Sequence, residues 1–568
     1  MVERIKAMQQ QIWRELKSEL STYSINIINP DHVSSHKRSI IYDYFINHIK
    51  YHIKIIDINR ILQALPNLQI VALLRSTDQY KIIIPFQNTP RLAKITNEHF
   101  IFAEDIIKIF VGKIIGLIRV TRDTNIYSEQ HNEKINQESI IKLVNDKYRG
   151  DITSIQLHTK DESLRNLLKK SNPVKIYDIE QTLDLSSVYE IAGALQAKFV
   201  RGYSLPAKTY KCFQGIDSKD VLLHHPYRSF GYVLNFLRQA AEDPEVISIK
   251  QTIYRTEKNA IDAAAYAAQL GKEVTVIIES RARFDELNNI KLAEYLRKAG
   301  AKVILNTSGI KIHSKFCLIT KKHKNSIKYY LHYSTGNYNA ITATTYQDLS
   351  VLTANQELCQ DIEKIFSYLT KESQTCELNK IYISPFNLRD KLISLIEQEI
   401  NYAKSGISGS IWIKCNAITD RKIINLLCQA SQNGVKIHVV ARGICLLKPS
   451  MPGLSENIKI RSIIGDVLEH SRIYCVGNGS KIPSEQTKIY ISSADLMERN
   501  FEERIETLIP IEDKKIHHHI LYEIMARNIS SSKKCWELSQ DGTYSRLSCI
   551  GQSIHEYFFA RYREQKMQ

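Results

Sequence analysis

Two stretches of this chain carry the same succession of landmarks, and that repetition restricts the fold more than any other feature. Each opens with an apolar run bearing a lysine near its end, VISIKQT around Lys250 and SIWIKCN around Lys414. A helical segment, a turn glycine (Gly271, Gly434) and a second apolar run (VTVIIE, IHVVAR) follow. Next come His313-Ser-Lys315 and His470-Ser-Arg472, then Ser334-Thr335-Gly336-Asn337 and Ser492-Ser493-Ala494-Asp495. Successive intervals are 21, 42 and 21 residues in the first copy and 20, 36 and 22 in the second. Strand–helix–strand units of this kind build α/β layers around a mostly parallel sheet. Strand–Gly–strand rhythm is common to all such domains. The His-x-basic and hydroxyl landmarks at matching offsets are what mark a duplication. Two α/β domains in tandem are expected, 199–375 and 376–568.

Residues 1–198 read differently. Ile5, Met8, Ile12, Leu16 and Leu20 recur at helical spacing before Pro30, giving a solvent-facing helix with one buried stripe. Short β-type runs (LQIVALL, YKIIIPF, GLIRVTR, TSIQLHT) then alternate with helical ones (AEDIIKIFV, QESIIKLVNDKY, DESLRNLLKK). This is an α+β head domain without an evident chemical cluster. Three domains accord with a length of 568 residues.

Charge narrows the partners. Lysine and arginine number 77 against 60 acidic residues, a net charge of +17, which favours polyanions such as phosphate chains, nucleic acid or anionic lipid. Ten cysteines without a C-x-x-C pair point to a reducing compartment, with Cys317, Cys428 and Cys475 in apolar runs. The first residues contain no apolar signal core, and the most apolar stretch, from Ile106, is interrupted by Lys108 and Lys113. A cytoplasmic location without a transmembrane segment is expected, with peripheral membrane contact left open.

The repeated landmarks suit phosphate chemistry. Residues i and i+2 of a strand share a face, so His313 with Lys315, and His470 with Arg472, should face one pocket. A neutral imidazole can attack phosphorus, and a neighbouring cation offsets charge on the phosphoryl oxygens. Ser334, Thr335 and Asn337 are expected to donate hydrogen bonds to those oxygens, the more so if a helix begins there. The chain contains no P-loop motif and no protein-kinase motif set. His517-His518-His519 point in three directions if helical, so a solvated surface is expected there rather than a metal site.

The duplicated arrangement resembles the phospholipase D motif, His-x-Lys-x4-Asp with a downstream Gly-Ser-x-Asn. The Asp position, however, holds Thr320 in the first copy and Gly477 in the second, which counts against a simple phosphodiesterase. GIKIHSKFCLI, YSTGNYNAITATTYQDLSVLT, the segment ARGICLLKPSMPGLSENIKIRSIIGDVLEHSRIY and ISSADLMERNFEERIE are similar to polyphosphate kinases of the phospholipase-D-like type. The resemblance runs from residue 220 to 510 and extends more weakly into the head region.

That resemblance implies two tandem phospholipase-D-like α/β domains behind the head. The implied activity is reversible transfer of the terminal phosphate of ATP to inorganic polyphosphate through a phosphohistidine. His313 matches the phosphorylated nucleophile, while the asymmetry between the copies favours His470 for assistance, giving a proton to the leaving nucleotide oxygen or binding the nucleotide directly. His332 matches a further histidine associated with activity. Tyr346, Arg442 and His470 match nucleotide-contacting positions. Arg255 and Arg283 match positions attributed to Mg²⁺. A guanidinium has no lone pair to offer a cation, so these two arginines are read as clamping phosphates that carry Mg²⁺. ATP or ADP and polyphosphate are the implied partners, with a homo-oligomer expected and no specific nucleic acid. Set against the family, most of an N-terminal helical domain is expected to be missing, because Met1 falls at the first head-domain helix. A phospholipase-D-like phosphodiesterase and a non-catalytic polyphosphate-binding remnant are the competing readings.

Overall fold

The structure, a computed structural model, describes residues 2–564 except 58–64, 66, 69, 77–78, 85–90, 113, 124–149, 172–173, 180–185, 189–190, 192–210, 257, 281, 283–285, 307–308 and 549–550. It divides into two units, Met1–Arg201 and Gly202–Gln568. In the first, alternation along IIGLIRVTR turns Ile118 and Val120 inward. The resulting sheet orders Lys54–Asp57, Gln79–Ile84, Ile70–Ser76, Ile114–Arg122, Ile152–Thr159 and Lys175–Asp178, with only the last pair parallel. Leu164 and Leu168 of the helix Glu162–Ser171 cover its apolar face. The unit is α+β. The helical run at 137–148 lies outside the described residues.

The helix Val2–Thr22 departs from expectation. Ile5, Met8 and Ile12 are 58, 54 and 53% exposed, while Trp13 and Leu20 are buried against Phe100 and Phe102. The large indole, packed edge-on to Phe102, rotates the buried stripe onto the Trp13–Leu16–Leu20 side. Only the C-terminal half of the helix therefore meets the small sheet beneath it.

The second unit contains two large sheets among its described residues. The first is built from β1 (Val221–His225), β2 (Val246–Ile253), β3 (Glu273–Glu279), β4 (Lys302–Asn306), β5 (Phe316–His323), β6 (Ser326–Ser334) and β7 (Tyr346–Thr353). Their order in space is β1-β7-β6-β5-β2-β3-β4. The second uses β8 (Tyr382–Ile383), β9 (Ser410–Cys415), β10 (Lys436–Ala441), β11 (Ile458–Ile463), β12 (Arg472–Val476), β13 (Lys488–Ser492) and β14 (Thr507–Pro510). It runs β8-β14-β13-β12-β9-β10-β11, the same order strand for strand, then continues with Cys535–Leu538 and Tyr544–Arg546.

Both sheets are mixed rather than mostly parallel. Only β2-β3-β4 and β9-β10-β11 are parallel, and the other pairs in each seven-strand set are antiparallel. The connections explain this, since β5 and β6 join through a hairpin at His323–Ser326, too short for a crossover helix. The register also corrects the repeat. Lys414 lies opposite Ile473 and Gln251 opposite Cys317, which makes Thr252, not Lys250, the counterpart of Lys414. The longer first-copy interval holds the helix Glu286–Lys298, where the second copy has a helix-free stretch at 442–457.

Alternation gives β5 and β12 two apolar faces. Phe316 and Leu318 of β5, with Ile473 and Cys475 of β12, join one core that spans both sheets. Cys317, Ile319, Tyr474 and Val476 face away, into separate cores under the flanking helices. The shared core holds residues 202–568 together, and the boundary expected at 375/376 falls in the segment joining the two sheets. Cys317 and Cys475 are buried, and Cys428 is half-buried. Among the described residues, no helix is long and apolar enough to cross a membrane.

That joining segment is fastened by Asp361. Its fully buried carboxylate accepts the backbone N–H groups of Asn379, Lys380 and Ile381 at 2.6–3.0 Å. Asp361→Ala strands the buried donor of Ile381, which costs about 1–3 kcal/mol when unmade, while water can reach the part-buried donors of Asn379 and Lys380. A loss of about 1–3 kcal/mol follows, read as a lower urea midpoint; an unchanged midpoint would contradict this role.

Candidate active site

The two histidine segments are held by strand exchange. Lys311–Ile312 pairs in parallel with Arg504–Ile505, and Leu468–Glu469 pairs the same way with Tyr346–Gln347. His313 and Ser314 donate their backbone N–H groups to Ile505 O, and His470 and Ser471 to Gln347 O. Each histidine segment thus lies on a strand of the other copy, and the side chains repeat the exchange. His313 donates Nδ1–H to Glu506 at 2.9 Å, and His470 donates Nδ1–H to Asp348 at 2.9 Å. Register places Asp348 and Glu506 at equivalent positions, two residues before Ser350 and Leu508, which pair with Ser334 and Ser492.

Hydroxyls hold those carboxylates. Thr335 Oγ1 donates to Asp348 at 2.6 Å, while Ser493 bonds Glu506. Ser334 donates to Leu349 O at 3.1 Å. Ser334 and Thr335 are thus committed within the protein rather than turned toward a phosphoryl group, and the helix after them begins only at Ala340. Gly336 is required here, because a Cβ would run into the Asp348 carboxylate. Asn337 Oδ1 is buried without a hydrogen-bond partner.

Burial, reinforced by Lys315, Arg504 and Arg472, holds His313 well below the usual histidine range. The ring is neutral, and with Nδ1–H given to Glu506 its lone pair sits on Nε2. Burial also lowers His470, partly offset by Asp348. Lys315 is brought down to about 7 by burial, against the pull of Glu506.

The copies then diverge. Arg472 forks onto Asp495 at 3.2 and 3.0 Å, so this guanidinium is already occupied by a carboxylate. Burial would raise Asp495, but Arg472 outweighs it and holds the group at about 2. Arg472 Nη1 also lies 3.2 Å from His470 Nε2. The first copy has Lys315 and Asn337 at these places.

Of the other expected residues, Tyr346, Arg442 and Arg255 gather here. The Tyr346 ring lies 5.2 Å from that of His470. Arg442 bonds Asn416 Oδ1 at 2.9 and 3.1 Å, and Asn416 Nδ2 reaches His470 O at 3.3 Å. Arg255 stands by Tyr254, whose ring meets His313 edge-on at 4.9 Å. Arg283 lies outside the described residues. His332 is buried behind the site, with Nδ1 2.6 Å from Tyr338 Oη. Its ring meets that of Tyr338 on the helix-covered face of the sheet, the side of Cys317 and Leu352. Of the histidine triplet only His518 is exposed; His517 bonds Thr487 O and His519 bonds Tyr562 Oη.

Asp348, Glu506, Arg504, Tyr254 and Asn416 were not singled out by sequence. Aligning the copies on Ser334 and Ser492 would have flagged Asp348 and Glu506 as matching acids. Among the described residues no cluster of three or more His, Cys, Asp or Glu side chains is placed to hold a metal. Arg255 cannot ligate Mg²⁺ and fits phosphate oxygens instead.

Burial lowers His332 to about 3. The unfolded ring takes up a proton below about 6.5 and the folded ring does not, so stability is complete above 6.5 and falls as pH drops toward 3. His332→Gln should remove about 1.4 kcal/mol per pH unit from that slope between pH 6 and 4. Denaturant titrations with identical slopes in both proteins would refute this.

Family models for polyphosphate kinase C-terminal domain 1 and C-terminal domain 2 match residues 211–375 and 381–555. A polyphosphate kinase of Erythrobacter litoralis is 32% identical over 98% of this chain and 82% of its own length. One from Pseudomonas aeruginosa is 40% identical over 71% of this chain, and the match spans 59% of that relative. The crystal structure of polyphosphate kinase from Porphyromonas gingivalis superposes with a TM-score of 0.72 at 26% identity, covering 100% of this chain and 89% of that one. With these matches the chain, an α+β head followed by two tandem α/β domains, belongs to the polyphosphate kinase family.

Proposed function

We propose that the chain reversibly transfers the terminal phosphate of ATP to inorganic polyphosphate, with His313 as the phosphorylated nucleophile. The observation that carries this reading is the neutral His313 ring with Nδ1–H held by Glu506 across the exchanged strands. Nε2 attacks the terminal phosphorus, the P–O bond to the β-phosphate breaks, and ADP leaves. An oxygen at the end of the polyphosphate chain then displaces the phosphoryl group from nitrogen. Glu506 offsets the positive charge that the ring gains once phosphorylated, as the carboxylate of a Ser-His-Asp triad does for imidazolium. Lys315 and Arg504 stand by the transferred group.

His470 assists rather than attacks. Backed by Asp348, it takes a proton at Nε2 and returns it to the leaving or entering oxygen. Tyr346 and Arg442 lie on its side, where the nucleotide is placed in this reading. Arg255 and Arg283 grip phosphates that arrive with Mg²⁺, an ion that would lower their charge. The absent motif carboxylates also favour transfer over diester hydrolysis: Thr320 accepts a bond from Ser248 at 2.8 Å, and no acid replaces it there.

Incubation with terminally labelled ATP and Mg²⁺ should give acid-insoluble chains and a base-stable, acid-labile label on the protein. His313→Ala should abolish that label. His470→Ala should retain it at a slower rate while turnover falls about 10²–10⁴-fold. Equal and complete loss of labelling in the two variants would end this division of labour.

The basic surplus gives a second check. Polyphosphate affinity should fall steeply with added salt, as counterions are released, and Arg283→Ala should weaken use of both ATP and polyphosphate. Unchanged catalysis in that variant would place Arg283 outside the site.

A further inference from the structure

A chain of buried polar groups joins the two copies immediately behind the His470 segment. Lys414 on β9 is 1% exposed. Its ammonium reaches Gln347 Oε1 at 2.5 Å, Ser471 Oγ at 2.6 Å and Glu469 Oε2 at 2.5 Å. Ser471 also donates to Gln347 Oε1 at 2.6 Å. Gln347 immediately precedes Asp348, while Glu469 and Ser471 flank His470. The three groups held by this one cation therefore adjoin, in sequence, the members of the Asp348–His470 pair.

The carboxyl-terminal helix Ile554–Glu564 completes the arrangement. His555 is fully buried; Nδ1 accepts the backbone N–H of Asp466 at 2.9 Å, so Nε2 carries the proton and donates it to Glu469 at 2.7 Å. That fixes a neutral imidazole beside one ammonium and one carboxylate, and the buried charges balance. Burial would raise Glu469, but Lys414 and His555 hold it at about 2. On the other side Gln347 Nε2 donates to His224, whose Nδ1 lies 3.4 Å from Tyr562 Oη on the same helix.

At the equivalent strand position the first copy has no cation. Thr252, the counterpart of Lys414, donates to Ser314 O at 2.9 Å. A buried ion pair is weak evidence for stability, since apolar replacements of similar volume are often neutral or stabilising. Its position at the neighbours of both Asp348 and His470 is better explained by alignment.

We propose that Lys414 is a positioning residue for the transfer reaction, fixing the Asp348–His470 pair through Gln347, Ser471 and Glu469, with the His555 helix as its brace. This rests on the function proposed above. Misplacement of a catalytic group by about 1 Å can cost 10²-fold in rate.

Lys414→Met alone would leave Glu469 charged and unpaired, so the test uses Lys414→Met/Glu469→Gln, which removes both charges and keeps an acceptor for His555. Selective ¹⁵N-histidine NMR should show altered ring resonances for His470 with those of His313 unchanged, a readout independent of the reaction catalysed. Turnover should fall about 10–100-fold with the ATP KM within about threefold. In a His470→Ala background the same double change should cost less than about threefold, because its effect passes through that ring. Unperturbed His470 resonances would overturn the proposal whatever the activity. Full turnover, or a loss that multiplies in the His470→Ala background, would do the same. Wild-type protein that makes no chains from ATP would sink the proposed function instead, leaving the NMR result to decide the role of Lys414.

Discussion

The exchange of short strands between the two copies is the constraint on which the site depends. Lys311–Ile312 and Leu468–Glu469 are each only two residues long, and each finds its partner in the opposite copy. Two-residue strands have little stability of their own. Their register is secured by the common core formed from the inner faces of β5 and β12. Apolar packing thus places each imidazole within hydrogen-bonding reach of a carboxylate encoded well over a hundred residues away.

Electrostatics then separates two sites of equal ancestry. Around His313, Lys315 and Arg504 stand near a neutral ring and one carboxylate. Around His470, Arg472 is bound by Asp495, and a further ion pair lies behind. Moving Asn to Asp at one position and Thr to Lys at another turns a cation-rich half-site into a largely compensated one. The first suits receiving a phosphoryl group, the second holding what accompanies it.

Much of this was legible from residues alone. The duplication, the facing histidines and the α+β head follow from landmark spacing and periodicity. The parallel-sheet expectation failed because apolar runs report burial without strand direction, and the β5–β6 hairpin has no distinctive turn signature at His323–Ser326. Lys250 and Lys414 aligned by residue type yet differ by two positions in the sheet, a shift that pairing reveals and composition does not. Asp348 and Glu506 escaped notice since an acid within a strand is usually solvent-facing, and their partners come from the other copy. Trp13 shows a similar limit, because one bulky ring chose which side of a helix is covered.

Crossed carboxylates have a consequence for how such a chain can be divided. A protein cut at the connection near Asn379 would yield two pieces, each with a histidine deprived of its acid and each with an acid deprived of its histidine. Neither fragment could reproduce a site by pairing with itself without changing its chemistry. Two copies of the first piece would offer two Asp348-backed nucleophiles beside Lys315, and two copies of the second would offer two Arg472–Asp495 pairs beside Glu506-backed rings. Only the mixed pair restores one attacking and one assisting half. The covalent tether preserves that heterogeneity in every molecule, which is the condition under which the two halves are able to differ.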